Sequence, residues 1–297
     1  MIDTNLQTNK KLRNALEAFS FTGPSAIILF CVMLLPLILV VVYSFFQNMV
    51  VENSPFVGFS NYMRFFTDPD IFKMVRFTIV FTIGSVFLHL AVGLLLAVKL
   101  NTNINRFALS IFRGIFILPW VFTAAVVAVA WQLILLPQGI LNSMFSVIIG
   151  QRVLVNWLGK PLIAMGTLIV VNAWRGYPFC MTSFLAGLQS IPESLYEAAQ
   201  IDGAGRSQLF FRITLPQLRP VILSVVLLDA IWTLNLFPLI WLLTGGGPLS
   251  ATDTIATFTY RYAFVDYQFG LASAAATIGL LVTMVFTVFY VRKQKVD

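Results

Sequence analysis

The stretch EAAQIDGAGRSQLFFRITLPQLRP, residues 197–220, carries five charged side chains between two strongly apolar segments: Glu197, Asp202, Arg206, Arg212 and Arg219. The chain as a whole has 297 residues, of which 59% are hydrophobic and only 10% are charged, and its mean hydropathy is +0.88. A soluble domain has about 25% charged residues. The composition therefore indicates an integral membrane protein, and the polar stretch inside it needs an explanation of its own.

Six apolar segments are each long enough, at about 20 residues, to cross the hydrocarbon core of a bilayer as helices. We therefore expect an all-α, polytopic membrane protein with six transmembrane helices in a single domain over residues 1–297. The first segment is too long for the apolar core of a signal peptide, so we expect it to be a retained anchor. The six segments lie near residues 24–46, 75–98, 109–135, 162–186, 218–243 and 268–291.

The distribution of basic residues predicts the orientation, because cytoplasmic loops carry an excess of Lys and Arg. With the N-terminus inside, twelve basic residues fall on the cytoplasmic side, namely Lys10, Lys11, Arg13, Lys99, Arg106, Arg113, Arg206, Arg212, Arg219, Arg292, Lys293 and Lys295. Six fall on the other side, namely Arg64, Lys73, Arg76, Arg152, Lys160 and Arg261. We expect both termini, and the loop 187–217, to be cytoplasmic.

Several classes of function find no support in the sequence. The net charge of +7 comes from residues spread along short loops, without a nucleic-acid-binding motif. Cys31 and Cys180 fall in apolar stretches without metal or redox spacing, and we expect them to be unpaired. The single histidine, His89, lies in an apolar run and is interpreted as a packed, hydrogen-bonded residue. We expect no catalytic residues, no metal site and no cofactor bound by this chain.

The polar stretch and the residues before it predict two short helices. Pro192 suits a first helical turn, and Glu193 there complements the helix dipole. The segment PESLYEAAQI is expected to end at Asp202-Gly203, where Gly203 provides a left-handed cap. RSQLFFRI is expected to form a second short helix before the prolines that mark the next span. The pair would present a cytoplasmic knob of Tyr196, Ala198, Ala199, Ile201, Leu209 and Phe210.

The order of residues in this loop resembles the signature loop of the permease subunits of ABC importers. The pattern E-A-A-x-x-D-G-A is followed by F-x-I-x-L-P-x-x-x-P, and its residues are Glu197, Ala198, Ala199, Asp202, Gly203, Ala204, Phe211, Ile213, Leu215, Pro216 and Pro220. In that family the loop is the coupling helix that sits in a groove of a cytoplasmic ATPase. The alternative for the loop is a pair of amphipathic helices resting on the lipid surface.

Three further segments are similar to the maltose-type carbohydrate permeases: FVGFSNY at 56–62, NAWRGYPF at 172–179 and LFPLIWLLTGGGP at 236–248. The resemblance implies a type I ABC importer permease in the inner membrane of a bacterium. It also implies four partners: a second permease subunit, two ATP-binding cassette subunits, an extracytoplasmic solute-binding protein and membrane lipid. The chain has no G-x-x-x-x-G-K-[ST] motif, so ATP and Mg would be bound by the partner ATPase.

Two ionisable residues lie inside predicted spans, Arg175 in the fourth and Asp229 in the fifth. Such residues are costly in a bilayer and usually face a cavity or a partner. Both lie about 11 residues from the predicted cytoplasmic ends, which places them at one level, roughly 16 Å deep. They therefore either pair with each other or line one polar cavity. Pro178 and Pro238 are expected to break their helices locally and expose carbonyl groups there.

The resemblance also implies a set of sugar-contacting positions, and several of their side chains differ from those of the maltose permease. A charged pair there leaves open whether the solute is a neutral sugar or an anionic derivative. The implied positions are Trp120, Asn172, Arg175, Gly176, Phe179, Asp229, Trp232, Thr233 and Leu236.

The leading hypothesis is therefore the permease of an ATP-driven importer for a sugar or sugar derivative, and not an enzyme. An ion-coupled secondary carrier is the alternative from another class, and uptake that resists a protonophore would discriminate against it. Within ABC importers, the alternative solutes are glycerol phosphodiesters or polyamines.

Overall fold

The structure is a computed structural model that describes residues 22–48, 54–101 and 105–294. Nearly all of this part of the chain is helical, and it contains no β-strand. The first six helices are α1 Thr22–Tyr43, α2 Ser60–Thr67, α3 Pro69–Leu100, α4 Arg106–Val121, α5 Ala124–Ile134 and α6 Ile140–Ile149. The other six are α7 Pro161–Gln189, α8 Glu193–Ile201, α9 Arg206–Leu234, α10 Pro238–Thr244, α11 Ile255–Phe264 and α12 Phe269–Gln294.

Four of the described helices, α1, α3, α9 and α12, are long and apolar enough to cross a membrane. Helices α4 and α5 form a fifth candidate, but they meet at a bend of 93°, so the predicted span 109–135 is not one straight helix. Helix α7 covers the predicted span 162–186, and its 29 residues reach about 43 Å. Its polar central stretch lowers its hydropathy, and the count of six spans stays a prediction. The basic residues 10–13 and Lys295 lie outside the described residues.

The predicted span 218–243 is divided in the structure. Helix α9 ends at Leu234, residues 235–237 are not helical, and Pro238 begins α10. The prediction that Pro238 breaks a helix is therefore correct. The same prediction for Pro178 is wrong, because α7 continues through it. Helix α7 is packed on both sides at this point, and tertiary contacts outweigh the preference of a single proline.

The second helix of the polar stretch is also not separate. It is the start of α9, which runs without interruption from Arg206 into the predicted membrane segment. A π-helical turn at Phe210–Thr214 lies just before Pro216, and a second one at Phe30–Leu34 in α1 lies just before Pro36. A proline ring clashes with the carbonyl four residues earlier in a regular α-helix. The wider turn accommodates that clash, so the helix continues instead of ending.

The contact between α3 and α7 forms the centre of the molecule. Glycines let the two helices approach closely: a Cβ added at Gly93 would lie 2.6 Å from Cβ of Cys180. Buried aromatic and aliphatic side chains fill the interface on either side of this point, among them Phe81 and Leu168. Both cysteines of the described residues are free, and Cys180 is buried.

On the side of the predicted external loops, the segment between α10 and α11 is fixed by a buried ion pair. Asp253 is almost fully buried, and its Oδ2 accepts a hydrogen bond of 2.5 Å from Nη1 of Arg261. Thr257 donates to the other oxygen at 3.1 Å. Burial raises the pKa of the Asp253 carboxyl above its ordinary value, while Arg261 and Thr257 oppose that rise. The ion pair therefore ties this segment to the helix that follows it, α11.

Candidate functional site

The loop of the E-A-A pattern has the geometry that its sequence predicts. Helix α8 ends at Ile201, and Gly203 has a φ of +79°, the left-handed conformation that glycine adopts without strain. The N–H of Ala204 donates to the carbonyl of Ala199 at 2.9 Å, and the N–H of Gly203 donates to the carbonyl of Gln200 at 3.0 Å. These two bonds form a Schellman motif. The motif fixes the direction in which the chain leaves α8.

One side-chain contact anchors α8 on α9. The hydroxyl of Tyr196 lies 3.0 Å from Oγ1 of Thr214, which is buried and itself donates to the carbonyl of Leu209 at 3.2 Å. This contact lies within the π-helical turn, so the position of α8 depends on the irregular part of α9. Helix α8 and the start of α9 therefore pack together, and α9 continues from there as a long apolar helix.

The structure changes the composition of the predicted knob. Ile201 is 86% exposed and Ala198 is also exposed, but Tyr196, Ala199, Leu209 and Phe210 are half-buried. Phe211, which is not part of the predicted knob, is 64% exposed. The acidic side chains Glu197 and Asp202 are exposed as well. The exposed surface of the two helices therefore includes these carboxylates, Ala198, Ile201 and Phe211.

A second candidate site lies among α3, α4, α7 and α9. All nine positions that the resemblance implies line a single small cavity, together with His89. The structure therefore brings together residues from four helices that are far apart in the sequence. The cavity is lined by His89, Trp120, Asn172, Arg175, Gly176, Phe179, Asp229, Trp232, Thr233 and Leu236.

Three aromatic rings form one wall of the cavity. Phe179 lies between Trp120, with ring centroids 6.3 Å apart, and Trp232, with centroids 4.8 Å apart. The bend between α4 and α5 follows directly after Trp120, and Thr123 caps α5 there by accepting from the N–H of Val126. Trp120 and Trp232 are both 47% exposed. The aromatic wall is therefore open on one side.

His89 and Asp229 form the polar end of the cavity. Nδ1 of His89 lies 2.8 Å from Oδ2 of Asp229, and Nε2 lies 2.9 Å from the backbone carbonyl of Asn172. The exposed fractions of His89 and Asp229 are 2% and 4%. Arg175 and Asp229 line one cavity, which was one of the two alternatives left open by the sequence. Among the described residues, however, the charge partner of Asp229 is His89 and not Arg175.

Two hydrogen-bond donors at the cavity have no partner in the described part of the chain. They are Nδ2 of Asn172, a residue that is 2% exposed, and Nε of Arg175. A buried donor without an acceptor is costly, at about 1–3 kcal/mol. Both donors can therefore bind an oxygen acceptor that enters the cavity.

The cavity has a volume of about 40 Å³. One water molecule occupies about 30 Å³ in the liquid, so a sugar ring does not fit in this conformation of the single chain. Binding of a larger solute requires that the open side formed by Trp120 and Trp232 moves, or that another surface covers this side.

The prediction that His89 is packed and hydrogen-bonded is correct, but its place at the cavity was not predicted from the sequence. A single histidine in an apolar run is compatible with packing alone, and its partner Asp229 is 140 residues away. The signal that could have identified it is its ionisable side chain inside a membrane span, which marks a functional site by default.

The chain is similar in sequence and in fold to known membrane proteins. Residues 89–295 match the family described as binding-protein-dependent transport system inner membrane component. The chain belongs to this family of ABC permeases. It is 31% identical over 293 residues to the trehalose/maltose transport system permease protein MalF of Thermococcus litoralis, an alignment that covers 98% of each chain.

Solved structures agree with this family. The permease fold is similar to a chain in the crystal structure of a bacterial ABC transporter involved in the import of the acidic polysaccharide alginate. The TM-score is 0.84 at 25% identity, covering 98% of this chain and 99% of that one. A second similar chain, with a TM-score of 0.81 at 26% identity over 95% and 94% of the two chains, comes from the alginate transporter in complex with its pentasaccharide-bound periplasmic protein.

Family membership gives the loop of the E-A-A pattern its role as the coupling helix of an ABC permease, and it makes this chain an inner-membrane component. The resemblance seen in the sequence is thereby confirmed. The family also agrees with a transport component that is not itself an enzyme.

Proposed function

We propose that this chain is the membrane permease subunit of an ATP-driven importer that moves a sugar or a sugar derivative into the cell. The observation that supports this most directly is the cavity, where three aromatic rings face two unpaired donors and a carboxyl group. Aromatic faces pack against the C–H surfaces of sugar rings, while amide, guanidinium and carboxyl groups bind hydroxyls. The names of similar proteins, which include trehalose, maltose and alginate, support the same class of solute.

The charge of the cavity argues against one alternative solute. Asp229 is paired with His89, and the guanidinium of Arg175 has no counter-ion among the described residues. A polyamine is a cation and would be repelled by this arrangement. A glycerol phosphodiester would be attracted, and it stays the alternative within ABC importers.

The partners of the chain follow from the same proposal. A second permease subunit would cover the open side with Trp120 and Trp232, and two ATPase subunits would bind the surface around Glu197 and Ile201. A solute-binding protein would dock on the external segments 136–161 and 244–267, the second of which contains the ion pair of Asp253. ATP-driven closure of the ATPases would act on α8 and, through α9, on the cavity. Both termini would be cytoplasmic.

Reconstitution of the complete transporter in proteoliposomes tests this function. ATP inside the vesicles should drive uptake of a radiolabelled sugar that the binding protein retains, and a protonophore should not reduce it. Uptake that stops with the protonophore but survives without ATP would contradict the proposal and favour an ion-coupled carrier.

The coupling loop provides a second test. Glu197→Lys reverses an exposed charge of α8, so we expect loss of uptake and of ATPase co-purification, with normal insertion into the membrane. Ser207→Lys adds a positive charge to the same loop outside the motif and serves as the control. Full uptake by the Glu197→Lys transporter would show that the loop does not dock the ATPase through this side chain.

A further inference from the structure

The hydrogen-bond geometry at His89 fixes the number of protons held there. A backbone carbonyl only accepts, so Nε2 of His89, 2.9 Å from the carbonyl of Asn172, must carry a hydrogen. Nδ1 lies 2.8 Å from Oδ2 of Asp229. This second contact needs one more proton between the two groups, because the lone pair of Nδ1 would otherwise face a carboxylate.

Two arrangements satisfy this requirement, and they have the same net charge. In the first, both nitrogens of an imidazolium donate, one of them to a carboxylate. In the second, a protonated carboxyl donates to a neutral imidazole. The pair of His89 and Asp229 is neutral in both cases, which explains how an acidic residue that is 4% exposed is tolerated inside a membrane helix.

The pair also has a fixed position, because His89 is enclosed on all sides. It comes from α3, its two partners belong to α7 and α9, and Gly176 of α7 leaves the space for its ring. A Cβ at Gly176 would lie 2.1 Å from Nε2. His89 therefore links three helices at the wall of the cavity. Oδ1 of Asp229 takes no part in this link and has no hydrogen bond among the described residues.

We propose that His89 is a positioning residue of the sugar site: it holds Asp229 by Oδ2 and presents Oδ1 to the hydroxyl groups of the solute. The proposal rests on the proposed function. Oδ1 supplies an acceptor, while Asn172 Nδ2 and Arg175 Nε supply donors. A hydroxyl group both donates and accepts, so this combination suits two neighbouring hydroxyls of a sugar.

Two substitutions at His89 separate its two hydrogen bonds. The amide nitrogen of asparagine lies near the position of Nδ1, so His89→Asn keeps the contact with Asp229 and loses that with the Asn172 carbonyl. The amide nitrogen of glutamine lies near the position of Nε2, so His89→Gln does the reverse. Thr78→Ser is the matched control, a buried polar position of the same helix that bonds only to its own helix, to the carbonyl of Met74.

The experiment is ATP-driven uptake by the reconstituted transporter, with maltose, trehalose and an alginate oligosaccharide as probes. The sugar that the wild type transports fastest is used for the variants. We expect His89→Gln to raise KM by about tenfold, the loss of one hydrogen bond to a charged group, and by clearly more than His89→Asn. In a His89→Gln background, Asp229→Ala should raise KM little further, because the two residues act as one unit.

A purely structural role would lower the amount of assembled transporter or its maximal rate, with KM unchanged. Equal KM values for His89→Asn, His89→Gln and the wild type would therefore overturn the inference, as would an equal rise in both variants. Where His89→Gln does not assemble, Asp229→Asn replaces it: the amide is a weaker acceptor, and an unchanged KM overturns the inference too. Absence of ATP-driven sugar uptake by the wild type would instead overturn the proposed function itself.

Discussion

Substitution of Gly176 by alanine tests the packing at the centre of the cavity. The new Cβ would lie 2.1 Å from Nε2 of His89, 2.4 Å from Cε1 and 2.7 Å from Cδ2. The imidazole cannot move away freely, because it is bonded on one side to Asp229 and on the other to the Asn172 carbonyl. The clash must therefore displace His89 and break at least one of these bonds.

The expected magnitude follows from opposing effects. Alanine is favoured over glycine in a helix interior by about 1 kcal/mol. Overpacking a filled site costs about 1–3 kcal/mol, and a buried polar group left without its hydrogen-bond partner costs about a further 1–3 kcal/mol. The Gly176→Ala variant should therefore be destabilised by a net of about 1–5 kcal/mol, and its transporter should have a raised KM for the solute.

Thermal unfolding of the purified, detergent-solubilised protein measures this effect. Gly166→Ala is the matched control, because it lies on the same helix α7 and no atom lies within 4 Å of its new Cβ. The control should be unchanged or slightly more stable, by up to about 1 kcal/mol. A Gly176→Ala protein that melts at or above the temperature of the wild type would refute the tight packing of His89 on α7.

Two further predictions concern the coupling loop and the aromatic wall. Gly203→Ala should destabilise the end of α8 by about 1–2 kcal/mol, because alanine is strained at a φ of +79°. ATP-driven uptake by this variant should fall. Gly205→Ala is the control, because Gly205 has a φ of −74°, and it should leave uptake intact. Trp232→Ala should raise KM for the sugar by about tenfold in the same assay, since it removes one ring of the wall. Trp174→Ala is the control, because it removes an equally large ring of α7 that does not line the cavity. It should raise KM less than Trp232→Ala does, and a larger rise for Trp174→Ala would place the solute elsewhere.

Much of the fold could be predicted because it depends on local chemistry. Apolar length predicts the long helices, and Gly203 predicts the end of α8, since a left-handed cap is a property of a few neighbouring residues. The limits of the helices were less predictable. Pro178 was expected to break α7 and does not, while Pro238 does begin a new helix. A proline only disfavours a regular helix, and whether the helix ends there depends on what packs around it.

The positions around the cavity came from a resemblance of sequence, whereas their convergence is a tertiary property. Trp120, Asn172 and Asp229 lie on three different helices, and nothing in their local sequence places them at one point. The charge partner of Asp229 was predicted least well. Arg175 is predicted to lie at the same depth as Asp229, so the sequence alone could not decide whether these two residues pair.

The sequence by itself determined that this protein lies in a membrane and that its fold is helical, because these properties follow from hydropathy and from short-range backbone geometry. The coupling helix was indicated by the resemblance of its residues to those of ABC permeases. Only the tertiary structure decided that His89 is hydrogen-bonded to Asp229 and that Arg175 keeps an unpaired donor. The physical reason is distance along the chain: a contact between side chains 140 residues apart exists only where packed helices bring them within 3 Å.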